Sequence, residues 1–277
     1  MKFFAYILGL LAAVVLGVCI WIYYPQYQIN QMKKESVSDS PAWASEHEVT
    51  YMEYYRSIDK PTIQHLAIGD SIIKGYGANP NENLVESFSV ELEEDIKKDV
   101  FYQNEGINEM TSSELNELVQ QGTYDEQIKT ADIITINIGG NDILRLGFEK
   151  GFYEAIRSFD TLQKTFDNNL SSITNRIKTL NPDATLLLLE LYNPLEQNNE
   201  FYDVADKVLP KWNLKLYQLA SKLDNAVVIE TTAVINSEKP QNLAYDGVHP
   251  NALGYNAISE QMLIQFRKDT REPEEQP

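Results

Sequence analysis

Three short stretches carry residue types that can do chemistry together. Gly69-Asp70-Ser71 follows an apolar run at 63–68, which puts a serine hydroxyl at the end of a buried strand. Gly139-Gly140-Asn141-Asp142 follows a second such run at 133–138, and Asp246-Gly247-Val248-His249-Pro250 precedes the last helical pattern. A serine is a weak nucleophile until a neighbouring base takes its proton. The chain has three histidines, so few imidazoles compete for that role. His65 lies inside the first apolar run and His47 in a polar amino-terminal stretch, which leaves His249 placed for chemistry. Asp246, three residues earlier, can fold back to accept the Nδ1 proton, fixing the tautomer and leaving Nε2 as the outward base. Asn141, behind two glycines that allow close backbone approach, can aim amide N–H groups at a developing oxyanion. Each stretch also has a plainer reading: a helix cap at Ser71, a capped turn at Asn141, a simple turn at 246–249.

These stretches have to be held by regular elements. Short β-rich runs at 63–68, 100–104, 133–138, 185–191 and 226–230 alternate with longer patterns of helical period. One helix is expected at 83–98, with Leu84, Phe88, Leu92 and Ile96 on its apolar face. Others follow at 162–180, stopped by Asn181-Pro182, at 204–219, and after Pro250, which suits a first helical turn. Repeated β–α units imply a mostly parallel five-stranded sheet covered on both faces, a three-layer α/β/α domain. In that architecture the loops that follow the strands share one edge, and all three chemical stretches lie on such loops. Aromatics at 146–153 and 192–202 (Phe148, Phe152, Tyr153, Tyr192, Phe201 and Tyr202) fall on the same edge as candidates to line an acyl or sugar pocket.

Before the domain, residues 3–24 are apolar, uncharged and long enough to span a bilayer, with Trp21, Tyr23 and Tyr24 at the far end as an interfacial belt. A signal peptide would have a shorter apolar core and a nearer cleavage pattern than Ala42-Trp43-Ala44, and Val18 is bulky for a lipobox ending at Cys19. The expectation is therefore an uncleaved anchor at 1–24, a polar stalk at 25–60, a catalytic domain at 61–270 and a disordered tail at 271–277. The amino terminus is expected inside and the domain outside the cell membrane. Tyr51, Tyr54 and Tyr55 mark the last part of the stalk as packing onto the domain. Across its 277 residues, 41 acidic against 23 basic residues give a net charge of −18, which argues against nucleic acid and anionic membrane surfaces as partners. A single cysteine excludes an internal disulfide framework and a cysteine-based zinc site, and the few histidines leave little for a metal centre.

The three blocks, in this order, resemble those of the SGNH hydrolases, the GDSL-type esterases and lipases. Gly69-Asp70-Ser71 matches the first block, with Ile72 where leucine is usual. Gly140 and Asp142 with Asn141 match the Gly-x-Asn-Asp block, and Asp246-x-x-His249 the last. The resemblance covers roughly 63–266, and membrane-anchored acylhydrolase-like members from Gram-positive bacteria look closest. It implies a flavodoxin-like fold and serine ester hydrolysis without metal or other cofactor. By the same resemblance Ser71 is the nucleophile, His249 the base and then acid, and Asp246 its orienting partner. The Ser71 backbone N–H and the Asn141 side chain then bind the oxyanion, and Asp70 and Asp142 stabilise turns.

The second block departs from the pattern. In Asn104-Glu105-Gly106-Ile107-Asn108-Glu109-Met110, Glu109 stands where the oxyanion-hole glycine belongs. Its backbone N–H can still donate, but a positive φ is costly for glutamate and its carboxylate opposes an oxyanion. A slipped register would make Gly106 the donor instead. The resemblance implies a small ester, lipid or acylated glycan as substrate, with no obligate protein partner evident. The same triad would also serve an O-acyltransferase on cell-wall glycans, and the departure at Glu109 leaves room for a catalytically weak surface-binding protein.

Overall fold

A computed structural model describes residues 2–38 and 49–271 of the chain. The elements run α1 (Lys2–Ser38), β1 (Val49–Thr50), α2 (Tyr51–Ser57), β2 (Thr62–Gly69), α3 (Ser71–Lys74), α4 (Leu84–Ile96), β3 (Asp99–Gly106), α5 (Ser112–Gln120) and α6 (Asp125–Thr130). They continue with β4 (Ile133–Asn137), α7 (Gly140–Lys150), α8 (Phe152–Arg157), α9 (Phe159–Leu180), β5 (Thr185–Leu189), α10 (Tyr202–Ala220), β6 (Ala226–Ile229), α11 (Ala252–Lys268) and β7 (Thr270–Arg271).

Strands β2 to β6 form one sheet in the order β3-β2-β4-β5-β6, every pair parallel. Alternate residues of each strand feed opposite layers, as the two-residue period of a strand requires. Ile63, Ala67, Leu187 and Ile229 pack towards α2, α4 and α11, whereas Leu66, Ile68, Leu186 and Val228 pack towards α5, α6, α9 and α10. This is the expected three-layer α/β/α domain. The chain leaves β2 to one side for β3 and returns to the other side for β4, so the strand order reverses between β2 and β4. Open α/β sheets bind ligands at the carboxyl ends of the strands flanking such a reversal. Ser71 and Asn141 follow those two strands.

Several expectations need correction. The stretch at 146–153, expected as a loop, is mostly helical in α7 and α8; Asp142 in the first turn and Lys150 in the last suit the helix dipole. The stalk is structured over most of its length. Pro25 lies inside α1, which continues to Ser38 with Pro25 and Ile29 buried. Residues 49–57 form β1 and α2, with Tyr51, Tyr54 and Tyr55 buried as expected, and β1 pairs with β7 beyond the last helix. Arg271, assigned to the tail, is buried in that pairing at 6% exposure. Residues 39–48, with His47 and the Ala-x-Ala pattern, and 272–277 lie outside the described residues. One segment among the described residues, Gly9–Lys34 within α1, is long and apolar enough to cross a membrane, with mean hydropathy 1.6.

Candidate active site

The turn after β2 is built for a projecting serine. Gly69 sits at φ 148°, and a Cβ there would meet the Asn137 carbonyl oxygen at 2.0 Å, so β2 and β4 approach too closely for any side chain. Asp70 then caps α3: its Oδ1 accepts the Ile72 N–H at 3.0 Å and the Asn137 amide N–H at 2.8 Å. This ties the serine turn to the end of β4 and leaves Ser71 at the first position of the short helix. Burial raises the Asp70 carboxyl to about 7, against the lowering effect of those two donors. Folded chain therefore keeps a proton that unfolded chain releases from about pH 4 upward. The stability this brings is complete below that pH and is lost as pH rises through about 7. Asp70→Asn should flatten that component: between about pH 5 and about pH 8, urea midpoints should show wild type losing on the order of 2 kcal/mol relative to the variant. Parallel loss in both proteins would assign the titration elsewhere.

His249 arrives from the loop ahead of α11. That loop is closed by a Leu243–Pro250 bridge, by the Ala244 N–H on the His249 carbonyl at 2.7 Å, and by the Tyr192 hydroxyl donating to the Val248 carbonyl at 2.8 Å. His249 Nε2 lies 2.8 Å from Ser71 Oγ, and Nδ1 lies 2.7 Å from Asp246 Oδ2. An ionised carboxylate only accepts, so Nδ1 carries the proton and Nε2 accepts the serine O–H. Partial burial pushes the Asp246 carboxyl up, but the N–H groups of His249 and Val248 and the imidazole outweigh it and hold it below the usual carboxylate range. The Tyr76 ring lies 4.6 Å from the imidazole centroid and limits its swing. His65 is elsewhere, buried between the Ser89 and Thr135 hydroxyls at 2.8 Å each, with its pKa pulled down to about 3 by burial.

The loop after β3 and the start of α7 complete the site. Asn141 donates one amide N–H to the Met110 carbonyl at 2.9 Å, which fixes the side chain and leaves its second N–H for the cavity it lines. Glu109 has φ 61°, the left-handed region, and also lines the cavity. Gly106, the alternative donor, already gives its N–H to Asn104 Oδ1 at 3.0 Å. Arg145, one helical turn after Asn141, donates to the Glu109 carbonyl at 3.0 Å and to Glu114, whose carboxylate also caps α5. Asp142 accepts the Ser112 N–H at 2.9 Å and its hydroxyl at 2.6 Å, which ties the start of α7 to the start of α5. The positioning roles of Arg145, Tyr76 and Tyr192 escaped the sequence reading. The one available signal was the four-residue step from Asn141 to Arg145 on a helix.

Glu109→Gly should relieve about 1–2 kcal/mol of left-handed strain and give back roughly 0.5–1 kcal/mol in unfolded-chain entropy. A melting temperature higher by a few degrees, with a few-fold faster ester turnover as the carboxylate leaves, is the expected result. An unchanged rate would show that Glu109 neither harms nor shapes the hole.

A cavity of about 400 Å³ opens beside Ser71. Its far walls are apolar: Ile143 and Leu144 of α7, Phe159 at the start of α9, and Val204, Val208 and Leu209 of α10. Of the aromatics expected to line a pocket, Tyr192 and Phe201 do so. Tyr153 is 71% exposed and Tyr202 bonds Ser237, while the side chains of Phe148 and Phe152 lie outside those described.

The family model of the GDSL-like lipase/acylhydrolase family matches residues 67–257, spanning the serine loop to the histidine loop. The chain belongs to this family. Within it, the chain is 31% identical over 206 residues to the spore germination lipase LipC of Bacillus licheniformis, covering 73% of this chain and 95% of that protein. The lipase Lip_vut3 from a goat rumen metagenome superposes with a TM-score of 0.66 at 29% identity, covering 73% of this chain and 97% of its own. Axe2, an acetylxylan esterase of Geobacillus stearothermophilus, shares the fold with a TM-score of 0.55 at 19% identity, over 74% and 94% of the two chains. GDSL-like family membership carries ester hydrolysis as the class of reaction.

Proposed function

We propose that the protein is a membrane-tethered serine ester hydrolase that takes esters of extended acyl chains. The observation that carries this reading is the unbroken line from Ser71 Oγ through His249 to Asp246, at 2.8 and 2.7 Å, beside an apolar cavity. His249 takes the Ser71 proton as Oγ attacks the ester carbonyl. The tetrahedral oxyanion is met by the N–H groups of Ser71 and Glu109 and the second amide N–H of Asn141. His249 then returns the proton to the leaving alcohol, and water repeats the sequence to free the acid. Asp246 stays ionised and holds the imidazolium between steps.

The apolar cavity supports a longer acyl group over acetyl, because each buried methylene brings about 0.8 kcal/mol. Likeness to a lipase at 31% identity supports the same preference. On nitrophenyl esters, kcat/KM should rise at least about tenfold from acetate to octanoate. A preference for acetate would leave the triad reading in place and remove the acyl-chain reading. For the tether, support comes from the exposed apolar surface of α1, with Leu10 at 69% and Leu16 at 62% exposure. We read α1 as uncleaved and the domain as lying outside the cell, as the aromatic far end of the apolar segment suggests.

A further inference from the structure

Helix α1 changes character along its length. Its amino-terminal part is apolar and exposed. From Pro25 onward one face turns inward: Pro25 and Ile29 are buried one turn apart, and Lys33, a further turn on, reaches Glu230 at 2.9 Å and Glu190 at 3.5 Å. The surface it lies on is α10. Lys33 stands 5.4 Å from the Tyr217 ring centroid, and the Lys211 ammonium lies against the Trp21 ring. These two contacts fix a direction. Position 21 meets 211 and position 33 meets 217, so the two helices run the same way, and their amino-terminal ends point the same way.

The amino-terminal turns of α10 are the ones that wall the cavity, through Val204, Val208 and Leu209. The apolar segment of α1 therefore leaves the domain from the cavity-bearing end. Trp21, a residue type that settles at the membrane–water boundary, stands beside Lys211, two residues from the cavity wall. An independent observation agrees. Outside α1, the large apolar side chains exposed at this end of the sheet include Tyr76, Ile107, Tyr153, Tyr245 at 93% and Leu253.

We propose that the seating of α1 on α10 holds the cavity mouth against the bilayer that α1 spans, so that the substrate is a glycerolipid of that same membrane. This rests on the hydrolase and tether readings above. The ester groups of a glycerolipid lie between headgroups and chains, level with an interfacial tryptophan. An acyl chain enters the cavity, Ser71 forms the acyl-enzyme as the lysolipid alcohol leaves with the proton from His249, and water releases the fatty acid. With a net charge of −18 the fitting surface is zwitterionic, such as phosphatidylcholine.

The test uses the full chain in phosphatidylcholine vesicles. In a Cys19→Ser background, a fluorophore is attached at Tyr153→Cys, on the cavity-bearing end, or at Asp183→Cys, on the opposite edge. Brominated-chain lipid should quench the first at least about twofold more than the second. Equal quenching, or stronger quenching at position 183, overturns the orientation whether or not the protein is active. In parallel, fatty-acid release from host vesicles should exceed release from separate vesicles by about tenfold or more, the effect of tethering. Ile29→Asp, which unseats α1, should abolish both differences while soluble ester turnover stays within about twofold of wild type. Turnover of soluble ester with no release from host lipid overturns the substrate assignment and leaves the hydrolase reading standing. Failure to turn over any ester overturns the hydrolase reading and the substrate assignment together, while the fluorescence still decides the orientation.

Discussion

Replacing His249 with alanine is expected to lower kcat on a soluble ester by about 10⁴-fold or more while the fold survives. The side chain makes two hydrogen bonds, to Ser71 and Asp246, and packs on the Tyr76 ring, but the loop is closed by backbone contacts that alanine keeps. Ser71→Ala should cost about as much, and the double variant no more than either single one, because nucleophile and base act as a unit. Asp246→Asn separates geometry from charge. Its oxygen can still accept the Val248 and His249 N–H groups, but its NH₂ then faces Nδ1 and forces the proton onto Nε2, towards Ser71. Turnover should fall by about 10³–10⁴-fold with little change in melting temperature. Steady-state kinetics beside circular dichroism check all four proteins, and near-wild-type turnover in Asp246→Asn would place the orienting carboxylate elsewhere.

The second large effect is expected at Asn141. One N–H is held by the Met110 carbonyl, and in the proposed mechanism the second strengthens its bond only as the substrate carbonyl oxygen becomes an oxyanion. Asn141→Ala should therefore lower kcat by about 10²–10³-fold and leave KM nearly unchanged. Asn141→Asp should be worse, because it replaces a donor with a charge of the wrong sign. A rise in KM at constant kcat would mean that Asn141 holds ground-state substrate and contributes nothing particular to the transition state. Comparison with Glu109→Gly is informative, since both residues line the cavity beside Ser71 and Asn141 bonds the carbonyl of Met110, the residue that follows Glu109.

The parts of this site that could be read in the sequence are those whose chemistry is local. Asp246 and His249 meet because three residues of turn bring them together, and the apolar runs before Ser71 and Asn141 mark strand ends whatever surrounds them. The parallel β–α alternation puts the Ser71 and Asn141 loops on one edge of the sheet, and the strand order, with β2 beside β4, makes them neighbours. What was hidden depends on contacts distant in sequence. Tyr76 reaches His249, and Tyr192 the carbonyl of Val248, only because the sheet edge gathers their loops. Arg145 looks like an ordinary helix-surface charge until the Glu109 carbonyl is found beside it. The polar segment at 25–38 reads as linker by composition. Among its described side chains Pro25 and Ile29 are buried and Lys33 is half-buried, a face too narrow for periodicity to announce and clear only against α10. The left-handed conformation of Glu109 was foreseen as a cost from its alignment with a glycine, and φ 61° is the value found.

The most direct test of the central claim is covalent labelling of Ser71 by a fluorophosphonate, read as intact mass and then by peptide mapping. One adduct per chain is expected, on the peptide carrying Gly69-Asp70-Ser71, with none on Ser71→Ala and markedly slowed labelling in His249→Ala. Labelling that persists in Ser71→Ala, or a folded wild-type chain that takes no label, would contradict the assignment of Ser71 as the nucleophile.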